Sequence, residues 1–238
     1  MGTLTFHGHA TAELQSAGSV RLLIDPFFTD NPLSDVGPDY FAEGLDYVLL
    51  THGHFDHVAD AWPAGGSGSL RLLETTGATL IATAEIVGYA NDVLGHAATH
   101  AMHIGGGFDF PFGRVRLVTA VHGGMVAGEG AGPYTTNPAG ILLELDGTRI
   151  LHAGDTALTR DMELLNGKVD VALLPIGDNF TMGPEDAARA AEMIGPDIVI
   201  PIHYNSWDVI RQDPLEFARL VGDTAEVVIM SARDTFDF

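Results

Sequence analysis

Short apolar stretches separated by turn residues run the length of this chain. "LTFHG", "TAELQS" and "SVRLLID", within residues 4–25, read as strands, with Gly18 placed to turn a hairpin between the last two. "DYVLL" at 46–50 is apolar without alternation and reads as a fully buried strand. From 70 to 104 the pattern becomes helix, strand, helix, strand: "LRLLETTG", "TLIAT", "AEIVGYANDVLG" and "THAMHI", with Gly77 and Gly95 as helix stops. After "GGG" at 105–107 strands resume as "RVRLVTAVH", "AGILLEL" and "TRILHAGD", the last two separated by the turn "DG" at 146–147. A short helix after Asp155, the strand "VDVALLPIG", a helix from Pro184 to about Ile194, the strand "DIVIPIH", a helix near 214–221 and "EVVIM" complete the series.

Each half therefore gives strands and then mixed helix and strand. No linker rich in Pro, Ser or charge lies between them, so one α/β domain over 1–238 is expected, as two packed sheets with helices outside. Two segments are irregular: 29–44, with Pro32 and Pro38, and the glycine-rich "HGGMVAGEGAGPYTTNPAG" at 122–140. The second is long enough to suggest a role of its own, at the substrate entrance.

Composition narrows the function. Of 238 residues, 46% are hydrophobic and 18% charged, enough apolar side chain to close a large core. A formal charge of −21 repels phosphate backbones and anionic membranes, which leaves a small-molecule substrate, with no nucleic acid and no membrane as partners. A homo-oligomer stays open. With no cysteine, disulfides and thiolate metal sites are excluded, and any metal must be held by nitrogen and oxygen. The start lacks the features of a signal peptide, and no apolar run approaches the ~20 residues of a membrane span, so a cytoplasmic protein is expected.

Candidate chemistry sits at strand ends. "LLTHGHFDH" at 49–57 places His52, His54, Asp56 and His57 in one turn, where the small Gly53 lets the backbone bend. A merely solvated polar loop would not need imidazoles there. "VTAVH" ends in His122, "LHAGD" in Asp155 and "IVIPIH" in His203, so three further ligand-type residues each cap an apolar run. Together with the 52–57 cluster they could serve two metal ions. Neutral imidazoles and carboxylates suit divalent zinc, manganese, nickel or iron, with zinc favoured where nitrogen dominates. Asp25 in "LLIDP" either orients a ligand imidazole or caps its own turn. His7 and His9 flank Gly8; His7 is carried as a substrate or proton-transfer contact, against a structural role. His152, His96, His100 and His103 read as structural or surface residues. Asp178 and Asn179, just before the Pro184 helix, could face the site.

"THGHFDH" resembles the H-x-H-x-D-H signature of the metallo-β-lactamase superfamily, and His122, "HAGDT" and "PIHYN" fall where its other ligands are expected. More narrowly, "FHGHA", "LLIDPF", "HIGG", "HAGDTAL", "LPIGDNFTMGPEDA" and "PIHYN" resemble the UPF0173 metal-dependent hydrolases, related to the branch containing the L-ascorbate-6-phosphate lactonases. The resemblance implies a four-layer αββα sandwich with the site at one edge between the sheets. It implies that His52, His54 and His122 hold one metal, Asp56, His57 and His203 a second, and that Asp155 bridges them. Two such cations, roughly 3.5 to 4 Å apart, would acidify a bridging water and polarise a small ester, lactone, amide or phosphodiester. Asp56 could also orient the nucleophile, which makes Asp56 and Asp155 catalytic as well as metal-holding. The alternatives are a metal-binding module without turnover and a di-iron redox protein on the same ligands.

Overall fold

The computed structural model describes residues 1–62, 72–132 and 134–238. The expected helix at 70–77 is seen over Leu72–Thr76; its first two positions lie outside the described residues. No helix among the described residues is long and apolar enough to cross a membrane.

The strands among the described residues form two seven-stranded sheets. In the first, β1 (Thr3–Phe6), β2 (Ala12–Gln15) and β3 (Arg21–Ile24) pair antiparallel, and β4 (Tyr47–Leu49), β5 (Thr79–Thr83) and β6 (Thr99–Met102) follow in parallel. The second repeats the scheme: β7 (Gly107–Phe110), β8 (Gly113–Thr119), β9 (Ala139–Leu145) and β10 (Thr148–His152) are antiparallel. Then β11 (Val171–Pro175), β12 (Ile198–Ile202) and the two-residue β13 (Glu226–Val227) run parallel. β14 (Thr235–Asp237) returns to pair with β1.

Alternation of side chains decides the layers. Leu22, Ile24, Leu49 and Ile81 of the first sheet meet Ile141, Ile150, Leu173 and Ile200 of the second in one buried cluster. Their chain neighbours Leu23, Val48, Leu80 and Ala82 point the other way, onto α1 (Phe55–Val58), α2 (Leu72–Thr76) and α3 (Ala84–Asp92). Leu151, Ala172, Leu174 and Val199 likewise face α4 (Pro184–Ile194) and α5 (Pro214–Val221). Each strand between two such layers must be apolar on both faces, which is why its sequence reads as an unbroken hydrophobic run. Each fully buried Leu or Ile contributes about 1.5–3 kcal/mol relative to exposure. The result is an αββα sandwich.

α4 shows how local signals set the helix bounds. Pro184 supplies the fixed φ of a first helical turn, Glu185 and Asp186 sit at the positive dipole end, and Gly195 ends the helix at φ 64°. Ala187, Ala190, Ala191 and Ile194 make its buried stripe. β7 and β14 lie outside the sequence pattern. β7 begins in the glycine run and has little burial, and β14 is an exposed edge whose pairing is set only by contact with β1.

Strand direction places the functional end. β1, β3 and β4 run the same way, as do β8, β10, β11 and β12, so the residues following each strand collect at one edge of the sandwich.

Candidate metal centre

At that edge, three donor groups have their ligand atoms within 4.8 Å of one another: His9, Asp56, His57 and His203; His52, His54 and His122; and His52, His57 and Asp155. The structure therefore brings His52, His54, Asp56, His57, His122, Asp155 and His203 together. Asp155 lies between the others, with Oδ2 3.0 Å from His203 Nε2 and 3.3 Å from His122 Nε2, and Oδ1 3.3 Å from His57 Nε2. His54 Nδ1 lies 3.2 Å from His122 Nε2.

The donor chemistry fits cations. His52 Nε2, His57 Nε2, His203 Nε2 and Asp155 Oδ1 are buried with no hydrogen-bond partner among the described residues. Unpaired buried polar atoms are costly and rare, and four converging on one point are a feature that a bound cation would satisfy. The imidazoles and carboxylates of the cluster shift one another's ionisation. Burial opposes a charge on His57, but Asp155, Asp25 and Asp56 outweigh it and carry its pKa well above the ordinary value. Burial likewise opposes a charge on His203, yet Asp155 and Asp56 raise it to about 9. His52 goes the other way, pushed well down by burial and by the His57 charge. Burial raises Asp155, but His203 and His57 pull it well below the carboxylate range.

A second layer fixes which ring nitrogens face inward. Asp25 Oδ2 accepts from His57 Nδ1 at 2.8 Å and from Thr51 Oγ1 at 2.6 Å, while Asp25 Oδ1 accepts from the Thr51 amide at 2.8 Å. Because the Thr51 hydroxyl donates to Asp25, it accepts from His52 Nδ1 at 3.0 Å, leaving His52 Nε2 to the centre. Asp25 thus orients two imidazoles and is held in the left-handed region, at φ 50°. His9 and His203, at φ 56° and 55°, share that conformation. Non-glycine residues adopt it rarely, and its clustering around one site is the kind of local strain that functional edges retain. Asp25→Asn is expected to weaken metal affinity about 10- to 100-fold, because the amide NH2 would face a donor, either the Thr51 amide or the His57 imidazole with the Thr51 hydroxyl; competition with a fluorescent chelator checks this.

His7 is not brought to the cluster. Its Nε2 pairs with Glu13 Oε2 at 3.0 Å on the neighbouring strand, Arg21 closes on the same carboxylate, and its ring lies against Phe28, Tyr40 and Phe41. Gly8, at φ 92°, turns the chain so that the next side chain, His9, faces the centre instead. His9 Nε2 lies 3.1 Å from Asp56 Oδ2, and its Nδ1 lies 2.7 Å from Ser206 Oγ. Burial, then the His203 charge, lowers His9 to about 4. The "HGH" in "FHGHA" is the only sequence signal for it.

Gly53 is needed for a reason other than bending. Its φ is not positive, but a Cβ there would sit 2.7 Å from Val126 Cα, and its carbonyl accepts from the Ala127 amide at 2.7 Å. The long glycine-rich segment is thereby seated directly on the ligand turn. His152 bonds the Ala10 carbonyl at 2.8 Å, and His100 packs on Phe108 and Phe110, both structural placements.

His54, Asp56, His122, Asp155 and His203 form the floor of a cavity of about 540 Å³. Its walls are Phe55, Met125, Ala127, Phe180, Trp207 and Val209. Asp178 and Asn179 do not line it, although their neighbour Phe180 does. The centre is therefore reachable from outside through a mostly apolar mouth.

An αββα sandwich carrying a histidine and aspartate cluster at its open edge defines a metal-dependent hydrolase of the metallo-β-lactamase type. The model of the beta-lactamase superfamily domain matches residues 20–204. A UPF0173 metal-dependent hydrolase of Heliobacterium modesticaldum is 44% identical over 98% of this chain and 95% of the relative. One from Shouchella clausii is 44% identical over 90% of each. The chain belongs to this superfamily, among its UPF0173 metal-dependent hydrolases. Among solved structures, Igni18, a metallo hydrolase from the archaeon Ignicoccus hospitalis, is 32% identical with a TM-score of 0.84, covering 100% of this chain and 99% of that one.

Proposed function

We propose that the centre holds two divalent cations and hydrolyses a small ester, lactone, amide or phosphodiester. The observation that carries this reading is the position of Asp155, whose two oxygens reach His57, His122 and His203 and so touch both donor groups. His52, His54 and His122 would hold one cation; Asp56, His57 and His203 the other, with His9 against Asp56; and Asp155 would be shared. Imidazole-dominated donors favour Zn2+, with Mn2+, Ni2+ and Fe as the other candidates. Bound there, the cations would supply a nucleophilic water near neutral pH and polarise the group under attack.

The side chains of this chain do the placing. Asp56 lies at the cavity floor, where its carboxylate would accept a hydrogen bond from the attacking water and orient it toward the substrate. His9, on Asp56 Oδ2 at 3.1 Å and braced by Ser206, keeps that carboxylate in position. Access from the cavity favours turnover over a purely metal-holding role.

The test is elemental analysis of protein purified without added metal, together with a screen of lactones, carboxyl esters, amides and phosphodiesters. Two equivalents of metal and turnover in at least one class are expected. Two equivalents with no turnover in any class would return the protein to a binding module. Iron with no hydrolysis would return it to redox chemistry.

A further inference from the structure

We propose that the substrate of this centre carries its reactive group on an uncharged, apolar body, and that substrates with an anionic body are poorly accepted. The inference rests on the hydrolase reading above and adds to it the class of substrate.

Singly exposed apolar residues are ordinary on protein surfaces. Here they are gathered. Met125 is 67% exposed, Val209 54%, Phe180 53% and Phe55 51%, and all four line the cavity over the metal centre together with Trp207. They arrive from separate segments: Phe55 from α1, Met125 from the glycine-rich segment after β8, Phe180 from the turn after β11, and Trp207 and Val209 from the segment after β12. The wall is braced from behind. Buried Phe27 contacts Phe55 and Trp207 with ring centroids 6.1 and 6.0 Å away, and Phe55 and Trp207 meet at 5.9 Å. An apolar wall around a few convergent polar groups is the usual form of a small-molecule site, and about 540 Å³ is within the usual range for one.

What the wall lacks matters equally. Among the described residues, no lysine or arginine lines the cavity. A phosphate or carboxylate on the substrate body is normally met by guanidinium or ammonium groups, which return the hydration it loses. Here it would meet Phe, Met, Trp and Val on a protein of formal charge −21. The phosphorylated sugar lactone suggested by the ascorbate-6-phosphate lactonase branch finds no lysine or arginine for its phosphate among the described residues of this mouth. Cations at the floor would attract the oxygen of the reacting group, but the rest of the substrate would lie on the apolar wall.

The experiment uses the metal-loaded protein and p-nitrophenyl acetate, butyrate and hexanoate, with p-nitrophenyl hemisuccinate as the counterpart whose body is anionic. Transfer of each methylene onto the wall is expected to raise kcat/KM about two- to fourfold. The hemisuccinate is expected to fall at least ~30-fold below the butyrate, because its carboxylate would be desolvated on the apolar wall without a partner. The double variant Met125→Ser with Phe180→Ser should flatten the acyl series to less than ~1.5-fold per methylene while its metal content and melting temperature hold, since both side chains are exposed.

Binding of the neutral fluorophore N-phenyl-1-naphthylamine gives a readout independent of turnover, and the double variant is expected to weaken it by about tenfold. A flat or falling acyl series, or preference for the hemisuccinate, would overturn the inference and leave the hydrolase reading intact. No turnover of any substrate, with fluorophore binding that is lost in the double variant, would sink the hydrolase reading and retain the apolar site. Neither fluorophore binding nor chain-length dependence would remove the apolar site.

Discussion

Asp155→Ala is expected to lose both cations, whereas His203→Ala should lose one. Asp155 is the residue whose carboxylate reaches His57, His122 and His203, so its removal withdraws a donor from each side and leaves the two positive ions less screened from one another. Metal per chain should fall from two equivalents to below about half of one at stoichiometric loading, with the rate down on the order of 10³-fold or more. His203→Ala removes a donor from the His9, Asp56 and His57 group only. The other cation, still held by His52, His54, His122 and Asp155, should stay close to full occupancy, while hydrolysis falls by a similar factor because both ions act on the reacting groups together. Elemental analysis and rates on the same preparations decide the matter. Equal metal loss in the two variants, or two full equivalents retained in Asp155→Ala, would overturn the shared role of Asp155.

Chelation should abolish activity and also lower thermal stability. The folded chain assembles the donors and the unfolded chain does not, so bound metal stabilises the native state by mass action. A cation at 100 times its dissociation constant adds about 2.7 kcal/mol. For a chain of this size that corresponds to a melting temperature about 5–10 °C higher. Stripping the metal leaves Asp25, Asp56 and Asp155 within the same buried region, offset by the positive character of His57 and His203 and by hydrogen bonds from Thr51 and His9. Scanning calorimetry before and after exhaustive dialysis against a chelator, followed by zinc add-back, measures the shift. An unchanged melting temperature with complete metal removal would mean that the buried cluster does not couple metal to folding.

Several residues of the centre are legible in the linear pattern. His52, His54, Asp56 and His57 stand in one short run, and His122, Asp155 and His203 each end an apolar stretch, so the rule that strand ends carry chemistry finds them. Asp25 is legible as a strand-end carboxylate, but its choice between capping and orienting an imidazole is not. That choice depends on Thr51 and His57, which meet it only once β3 and β4 pair. His7 and His9 are equivalent in a linear pattern, and of the two it is His9 that the structure brings to the donor cluster. They differ only in which way Gly8 turns the chain.

The amino-acid sequence by itself determined the alternation that makes two sheets with helices outside, the bounds of α4, the kinds of donor at each strand end, and the acidic surface. These are local quantities: side-chain period, turn residues and charge are fixed by neighbours a few positions apart. Tertiary structure alone decided that His9 faces Asp56 and Ser206, the latter 197 positions away, that Gly53 is needed for the approach of Val126, and that Phe55, Met125, Phe180, Trp207 and Val209 share one wall. Those relations join residues far apart in the chain, and only the stacking of one sheet on the other, driven by burial of their common core, brings them within reach.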